Sequence, residues 1–106
     1  MPLFVSAASA YEIMNKYRLG KLPGYTYVGK NYIEILRNLD AKELSISTKH
    51  AHFAGEFDWA HRDPFDRFLA AQASLENMIL ITDDSAFNSL PYKHYLQNNK
   101  PRKEFI

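Results

Sequence analysis

Short apolar runs alternate along this chain with stretches in which apolar residues recur every three or four positions, the rhythm of strands followed by helices. Leu3, Phe4 and Val5 form a run that ends in small residues, as in a buried strand giving way to a helix. Ser9 and Glu12 have capping-box spacing, and Tyr11, Ile13, Met14, Tyr17 and Leu19 continue the helix as far as Gly20. Residues 22–30 contain Pro23, Gly24 and Gly29 and read as a loop, after which Asn31 can cap a helix bearing Ile33, Ile35, Leu36 and Leu39, with Asp40 closing it. Alternation over 44–47 predicts a short strand, and 48–54 a helix that stops at Gly55.

The best-marked helix starts at Asp63-Pro64, where the carboxylate can cap free amides and proline suits the first turn. It carries Phe65, Phe68, Leu69, Ala71, Gln72, Ala73 and Leu75 to about Asn77, and 78–81 then form an apolar strand ending at Thr82, with Asp83 and Asp84 at its C-terminal end. A turn through Phe87 and Pro91 leads to a last candidate strand at 93–96, and 97–106 is polar with Lys100, Arg102 and Lys103. Strands alternating with helices predict an α/β domain with a short, mainly parallel sheet, in which ligands collect at the carboxyl ends of the strands.

Composition narrows the class without naming a chemistry. The 106 residues, 46% hydrophobic and including seven Phe, seven Tyr and one Trp, suffice for one compact domain. No apolar run reaches the roughly 18 residues of a membrane span, and the N-terminus lacks a secretory pattern, so the expected location is the cytoplasm. The absence of cysteine excludes disulfides, thiolate metal sites and a cysteine nucleophile. A net charge of +1 neither demands nor excludes RNA.

Three acids stand where a site can form: Glu12 in the first turn after the first strand, Asp66 in the first turn of the marked helix, and Asp84 just after a strand. Clustered carboxylates supply the hard oxygen ligands that Mg²⁺ or Mn²⁺ prefers. Taken singly, each also has a structural reading, since the helix dipole favours acids in a first turn and Asp84 can cap a turn. His50 and His52 are two apart, fall on different faces of a helix, and read as solvated side chains. His61 can bond a carboxylate or assist proton transfer, though a capping or surface role is the plainer expectation. Phe53, Phe57 and Trp59 read as packing beneath a loop rather than as stacking platforms for bases.

Residues 61–73, His61-Arg62-Asp63-Pro64-Phe65-Asp66-Arg67-Phe68-Leu69-Ala70-Ala71-Gln72-Ala73, resemble the signature segment of a subgroup of VapC-type PIN-domain toxins. Residues 5–13 resemble the helix that bears that family's second acid, and Ile81-Thr82-Asp83-Asp84-Ser85-Ala86-Phe87 its strand and turn with the last polar ligand. The resemblance implies a three-layer PIN-like fold over residues 1–96, with 97–106 as a polar basic tail. It also implies an endoribonuclease that uses carboxylate-bound Mg²⁺ or Mn²⁺ and is silenced by a cognate antitoxin. Glu12, Asp66 and Asp84 would then be the catalytic and metal-site acids. Asp63 would support them chiefly as helix cap, Arg67 toward phosphate or a structural carboxylate, and Thr82 through its hydroxyl. Lys16 and Arg18, close to Glu12 along the chain, are on that ground the preferred RNA-facing cations.

The family begins earlier, with a strand ending in a further metal-site aspartate, and Met1 here stands almost directly before the resemblance to its second strand. The expectation is therefore a truncated domain with weak metal binding and impaired cleavage. Strands left with an open inner edge should pair directly with each other or recruit a second copy, as a homodimer or a strand-exchanged oligomer. The alternative is a catalytically inactive remnant that still binds an antitoxin.

Overall fold

A computed structural model describes residues 2–21 and 26–81, and the backbone of 103–105. In chain order the elements are β1 (Leu3–Ser6), α1 (Ala7–Arg18), α2 (Thr26–Lys30), α3 (Tyr32–Asn38), β2 (Lys42–Leu44), α4 (Thr48–Glu56), α5 (Pro64–Leu75), β3 (Met78–Leu80) and β4 (Lys103–Phe105). The four strands form one parallel sheet in the order β2-β1-β4-β3, so the expected α/β fold with a short parallel sheet flanked by helices is what the chain adopts.

Side chains alternate across the sheet, which assigns the layers. Phe4, Leu44, Met78 and Leu80 pack with Phe53 of α4, Phe57, Trp59, and Leu69, Ala70 and Ala73 of α5 in one apolar core. Val5 points the other way and lines a cavity with Ala10 of α1 and Ile33 and Leu36 of α3. Ala70, Ala71 and Ala73, within about one turn of α5, are almost wholly buried and let α5 lie close to the sheet.

A polar line runs through this packing. The Ser6 hydroxyl donates to Gln72 Oε1 at 2.6 Å and accepts the Ala8 N–H at 3.1 Å. Gln72 Nε2 donates to the Ser45 carbonyl at 3.2 Å and lies 3.4 Å from His50 Nδ1. His50 Nδ1 also accepts the Ser47 N–H at 3.0 Å, so the ring proton sits on Nε2, which donates to Glu76 at 3.0 Å. Ser6 and Gln72 are fully buried. Among the described residues each buried side-chain N or O atom has a partner, and β1, the loop before α4, α4 and α5 are locked in one register.

Several sequence expectations change against these contacts. Helix α1 begins at Ala7 under a Ser6 cap, so the Ser9–Glu12 capping box is not used and Glu12 falls in the second turn. The strand expected over 44–47 is instead Lys42–Leu44, because Ser45 gives its carbonyl to Gln72 and Ser47 caps α4. Gly55 does not stop α4, which continues to Glu56. His50, expected in solvent, is buried in the polar line, whereas His52 is exposed beside Glu56. Part of the expected loop is helix α2, lying so close to α1 that a Cβ on Gly29 would come within 2.6 Å of the Tyr17 ring. The strand expected at 93–96 lies outside the described residues.

The most consequential difference is β4. Lys103–Phe105 was expected in a solvated tail, yet its backbone fills the place between β1 and β3, pairing Leu3 with Glu104 and Phe4 with Phe105 on one side and Leu80 with Phe105 on the other. The open inner edge that argued for direct β1–β3 pairing or for a second copy is therefore closed by the chain itself. Peptide groups gain ladder partners on both sides there, which outweighs the polarity of the segment.

Two outcomes test this packing. Gln72→Leu removes the central partner of Ser6 and Ser45 and should lower stability by about 2–4 kcal/mol in denaturant unfolding; a change below ~0.5 kcal/mol would show that the polar line carries no weight. Tyr32 of α3 is buried, and burial pushes its phenol above the usual 10.0. Above that value the unfolded chain releases the proton first, so stability should fall as pH rises past 10.0. Tyr32→Phe should flatten that fall.

Candidate active site

The N-terminal end of α5 is where topology and chemistry meet. Helix α5 runs down into β3, so its first turn stands at the carboxyl edge of the parallel sheet, where ligands of such sheets gather. Asp63 caps it: its Oδ1 accepts the Phe65 N–H at 2.9 Å and the Asp66 N–H at 3.4 Å, with Pro64 in the first turn. The cap read from the sequence is present as expected.

Asp66 is only 8% exposed, an uncommon setting for an aspartate. Its Oδ2 lies 2.6 Å from His61 Nε2. An ionised carboxylate only accepts, so Nε2 carries the proton of that bond. His61, Asp63 and Asp66 together form the one group of three or more potential ligands among the described residues, with one donor atom from each within 4.8 Å of the others. Two carboxylates and an imidazole suit Mn²⁺ and other transition ions, while the carboxylates alone suit Mg²⁺. The donor set therefore fits a divalent cation.

Arg67 explains how His61 comes to lie on Asp66. Its guanidinium donates to four backbone carbonyls: Ala54 at 2.7 Å through Nε, Trp59 at 2.7 Å and His61 at 3.0 Å through Nη1, and Phe57 at 2.6 Å through Nη2. It also lies over the Phe57 ring, 4.5 Å from the centroid. The loop between α4 and α5 is thus gripped by the residue next to Asp66. The rings of Phe53, Phe57, Trp59 and His61 follow one another at centroid distances of 5.3, 5.8 and 4.8 Å. Arg67 belongs to this scaffold, and the expectation that it reaches phosphate or a carboxylate is replaced by a role in holding the loop. Phe57 and Trp59 pack in the core, as expected.

Glu12 arrives from α1. Ser6, just before α1, bonds Gln72, and Tyr11 stacks on Phe65 at 5.3 Å, so the turn of α1 that carries Glu12 lies close to the first turn of α5. Glu12 there accepts from Lys16 Nζ at 3.2 Å and stands outside the His61–Asp63–Asp66 group. Arg18 Nη2 donates to Asn15 at 2.6 Å. Lys16 and Arg18 are both exposed on α1. Thr82, Asp83 and Asp84 lie outside the described residues, although β3 delivers the chain to the same carboxyl edge at Ile81.

Sequence reasoning underweighted His61, read chiefly as a surface group, and passed over Arg62, which is exposed at the same helix start. The placement of His61 just before the Asp63-Pro64 helix start, five residues ahead of Asp66, was the available signal. No spacing rule announces Arg67 as a loop anchor, because its partners are carbonyls with no sequence signature.

Compared with known proteins, residues 2–92 match the family model described as PIN domain. No curated protein and no solved structure gives a match.

Replacing Arg67 separates scaffold from phosphate contact. Arg67→Lys keeps the charge but loses the fork that reaches four carbonyls. It should destabilise the chain by about 2–4 kcal/mol in thermal or denaturant unfolding. Stability equal to that of the parent chain would return Arg67 to a ligand-binding role.

Proposed function

The chain belongs to the PIN domain family, and from that premise we propose that it is a divalent-metal-dependent endoribonuclease of the VapC toxin type, with Glu12, Asp66 and Asp84 as metal-site acids. The observation that carries the reading is the buried Asp66 carboxylate, bonded to His61 and grouped with Asp63 at the carboxyl edge of the sheet. PIN domains generally use divalent metal ions, and the group of two carboxylates and an imidazole is a donor set that Mn²⁺ accepts, its carboxylates alone suiting Mg²⁺.

A bound Mg²⁺ or Mn²⁺ would supply the charge that activates water and offsets the negative charge growing on a phosphodiester. The chain's own residues set the stage for that. Asp66 is held in one orientation by His61, whose backbone Arg67 in turn fixes. The Asp63 Oδ1 is committed to the helix cap, so Asp63 supports the site mainly by fixing the first turn of α5. Glu12 accepts from Lys16 through Oε1 alone, so it could also hold a cation, and giving up the Lys16 pair would cost little because exposed i,i+4 pairs contribute only about 0.3–0.5 kcal/mol. Lys16, exposed one turn after Glu12, would then be available to a substrate phosphate. Asp84 and Thr82, which follow β3, are proposed to complete the site on the resemblance alone.

PIN domains often pair with antitoxins and bind RNA, and we propose both as partners here. The cavity of about 490 Å³ that Val5 shares with α1 and α3, with Ile33 exposed at its rim, offers an apolar seat for an antitoxin. A second copy is not required to close the sheet, since β4 does so. No helix among the described residues is long and apolar enough to cross a membrane.

Cleavage of a labelled mixed RNA by highly purified chain should require Mg²⁺ or Mn²⁺ and cease in EDTA. Asp66→Asn, Glu12→Gln and Asp84→Asn should each reduce the rate by roughly a hundredfold or more while leaving the melting temperature close to that of the parent. Cleavage that persists in EDTA or survives Asp66→Asn would end the reading. A chain that captures an antitoxin yet cuts nothing would establish the non-catalytic alternative instead.

A further inference from the structure

We infer that the inner place of the sheet, between β1 and β3, is an acceptor site for an extended apolar segment of a partner protein, which enters parallel to both strands and displaces β4. The inference goes beyond the ribonuclease reading and stands apart from it, because it rests on the sheet and not on the acid group.

The strands that flank this place are apolar. Met78, Ile79 and Leu80 of β3 are 2%, 3% and 1% exposed, so that strand is covered on both of its faces. On the other side β1 contributes Leu3, Phe4 and Val5. Helices α4 and α5 lie on one face of the sheet, and α1 and α3 on the other. An inner strand of a parallel sheet covered in this way reads as a near-continuous run of Val, Ile and Leu. β4 reads Lys103-Glu104-Phe105 instead, and lysine and glutamate are depleted in strands.

The backbone is what qualifies β4 for the place. Glu104 pairs with Leu3 on one side and with Ile79 on the other, and Phe105 pairs with Phe4 and Leu80. Any extended segment offers the same ladder, so side chains decide between occupants. The described part of β4 meets only Leu3 and Phe4, whereas β1 runs on to Ser6, and a longer segment extends the ladder there. A second copy of this chain presents the same Lys-Glu-Phe strand and gains nothing over the one in place, which favours a different protein. Because β4 is tethered to the sheet, with an effective concentration on the order of mM, the entering segment must win through apolar burial. The partner is therefore a protein with an exposed stretch of about five residues rich in Val, Ile and Leu and free of proline.

The test is fluorescence polarisation of a labelled synthetic peptide, Val-Ile-Val-Leu-Val between solubilising lysines, titrated with the full chain. A control peptide with proline at its central residue lacks a ladder donor. The apolar peptide should bind saturably and the control at least roughly tenfold more weakly. Two substitutions at one residue of β4 should then move the affinity in opposite directions. Glu104→Val makes the chain's own strand a better competitor and should weaken peptide binding roughly tenfold. Glu104→Pro removes the N–H of the residue that pairs on both sides and should tighten it by a similar factor. Melting curves check the fold of both variants, and Glu104→Val alone decides the matter where Glu104→Pro does not fold.

Absence of saturable binding to the parent chain, a proline control bound as tightly as the apolar peptide, or a Glu104→Val chain that binds the peptide as well as the parent would overturn the proposal. So would a parent chain that dimerises with rising concentration in light scattering and whose dimer the peptide dissociates, since the place would then belong to a second copy. All of these readouts are taken without RNA, so their failure leaves the ribonuclease reading where it stands.

Discussion

The carboxamide of Gln72 holds the architecture together from inside. It takes a hydrogen bond from Ser6 at the end of β1 and gives one to the Ser45 carbonyl after β2, and it lies against His50 at the start of α4. An amide has one acceptor and one donor end, so this set of partners fits only one orientation of the helix against the sheet. Apolar packing against Met78, Leu80 and Phe4 supplies the main driving force, but packing tolerates sliding and rotation more readily than a buried hydrogen bond does. Register is what the carboxamide adds.

The same helix converts register into a site. Asp63 caps it, Asp66 presents a carboxylate, Arg67 grips the preceding loop, and Gln72 anchors it, all within ten residues of one another along α5. Because Arg67 holds the His61 carbonyl and Asp66 holds the His61 ring, the loop is clamped at both its backbone and its side chain. A site whose supporting shell lies on one helix inherits that helix's rigidity. Core and active-site contributions are consequently hard to separate for any residue between 63 and 72, which is why conservative substitutions that keep volume are the informative ones.

Much of this was legible in the sequence where local chemistry is strong. Asp63-Pro64 announced α5 because capping and proline's fixed φ act within a few residues. Gly20, Asp40 and Asn77 marked helix ends and do adopt left-handed backbone, with φ of 70°, 52° and 54°. Errors arose where a tertiary partner overrode a local signal. Ser9 and Glu12 match a capping box, but Ser6 also meets Gln72 and takes the cap. Ser45 and Ser47 alternate with Leu44 and Ile46 like strand residues, yet one feeds Gln72 and the other caps α4. His50 looked solvated because nothing nearby in sequence predicts that Gln72 and Glu76 will surround it.

The inner position of β4 was the least legible feature, and it follows from a constraint that local patterning cannot express. Leu3 pairs with Glu104, so the ladder joins nearly opposite ends of the sequence shown, and such a contact carries a high loop-closure cost. That cost is smaller where β1 and β3 are held at the right spacing, and two ties beyond the sheet hold them: Ser6 with Gln72, and Tyr11 with Phe65. Both join the β1–α1 unit to α5, and α5 leads directly into β3. The helix pair therefore fixes the relative placement of Glu12 and Asp66, and β4 fills the inner place of a frame that these helix contacts also hold.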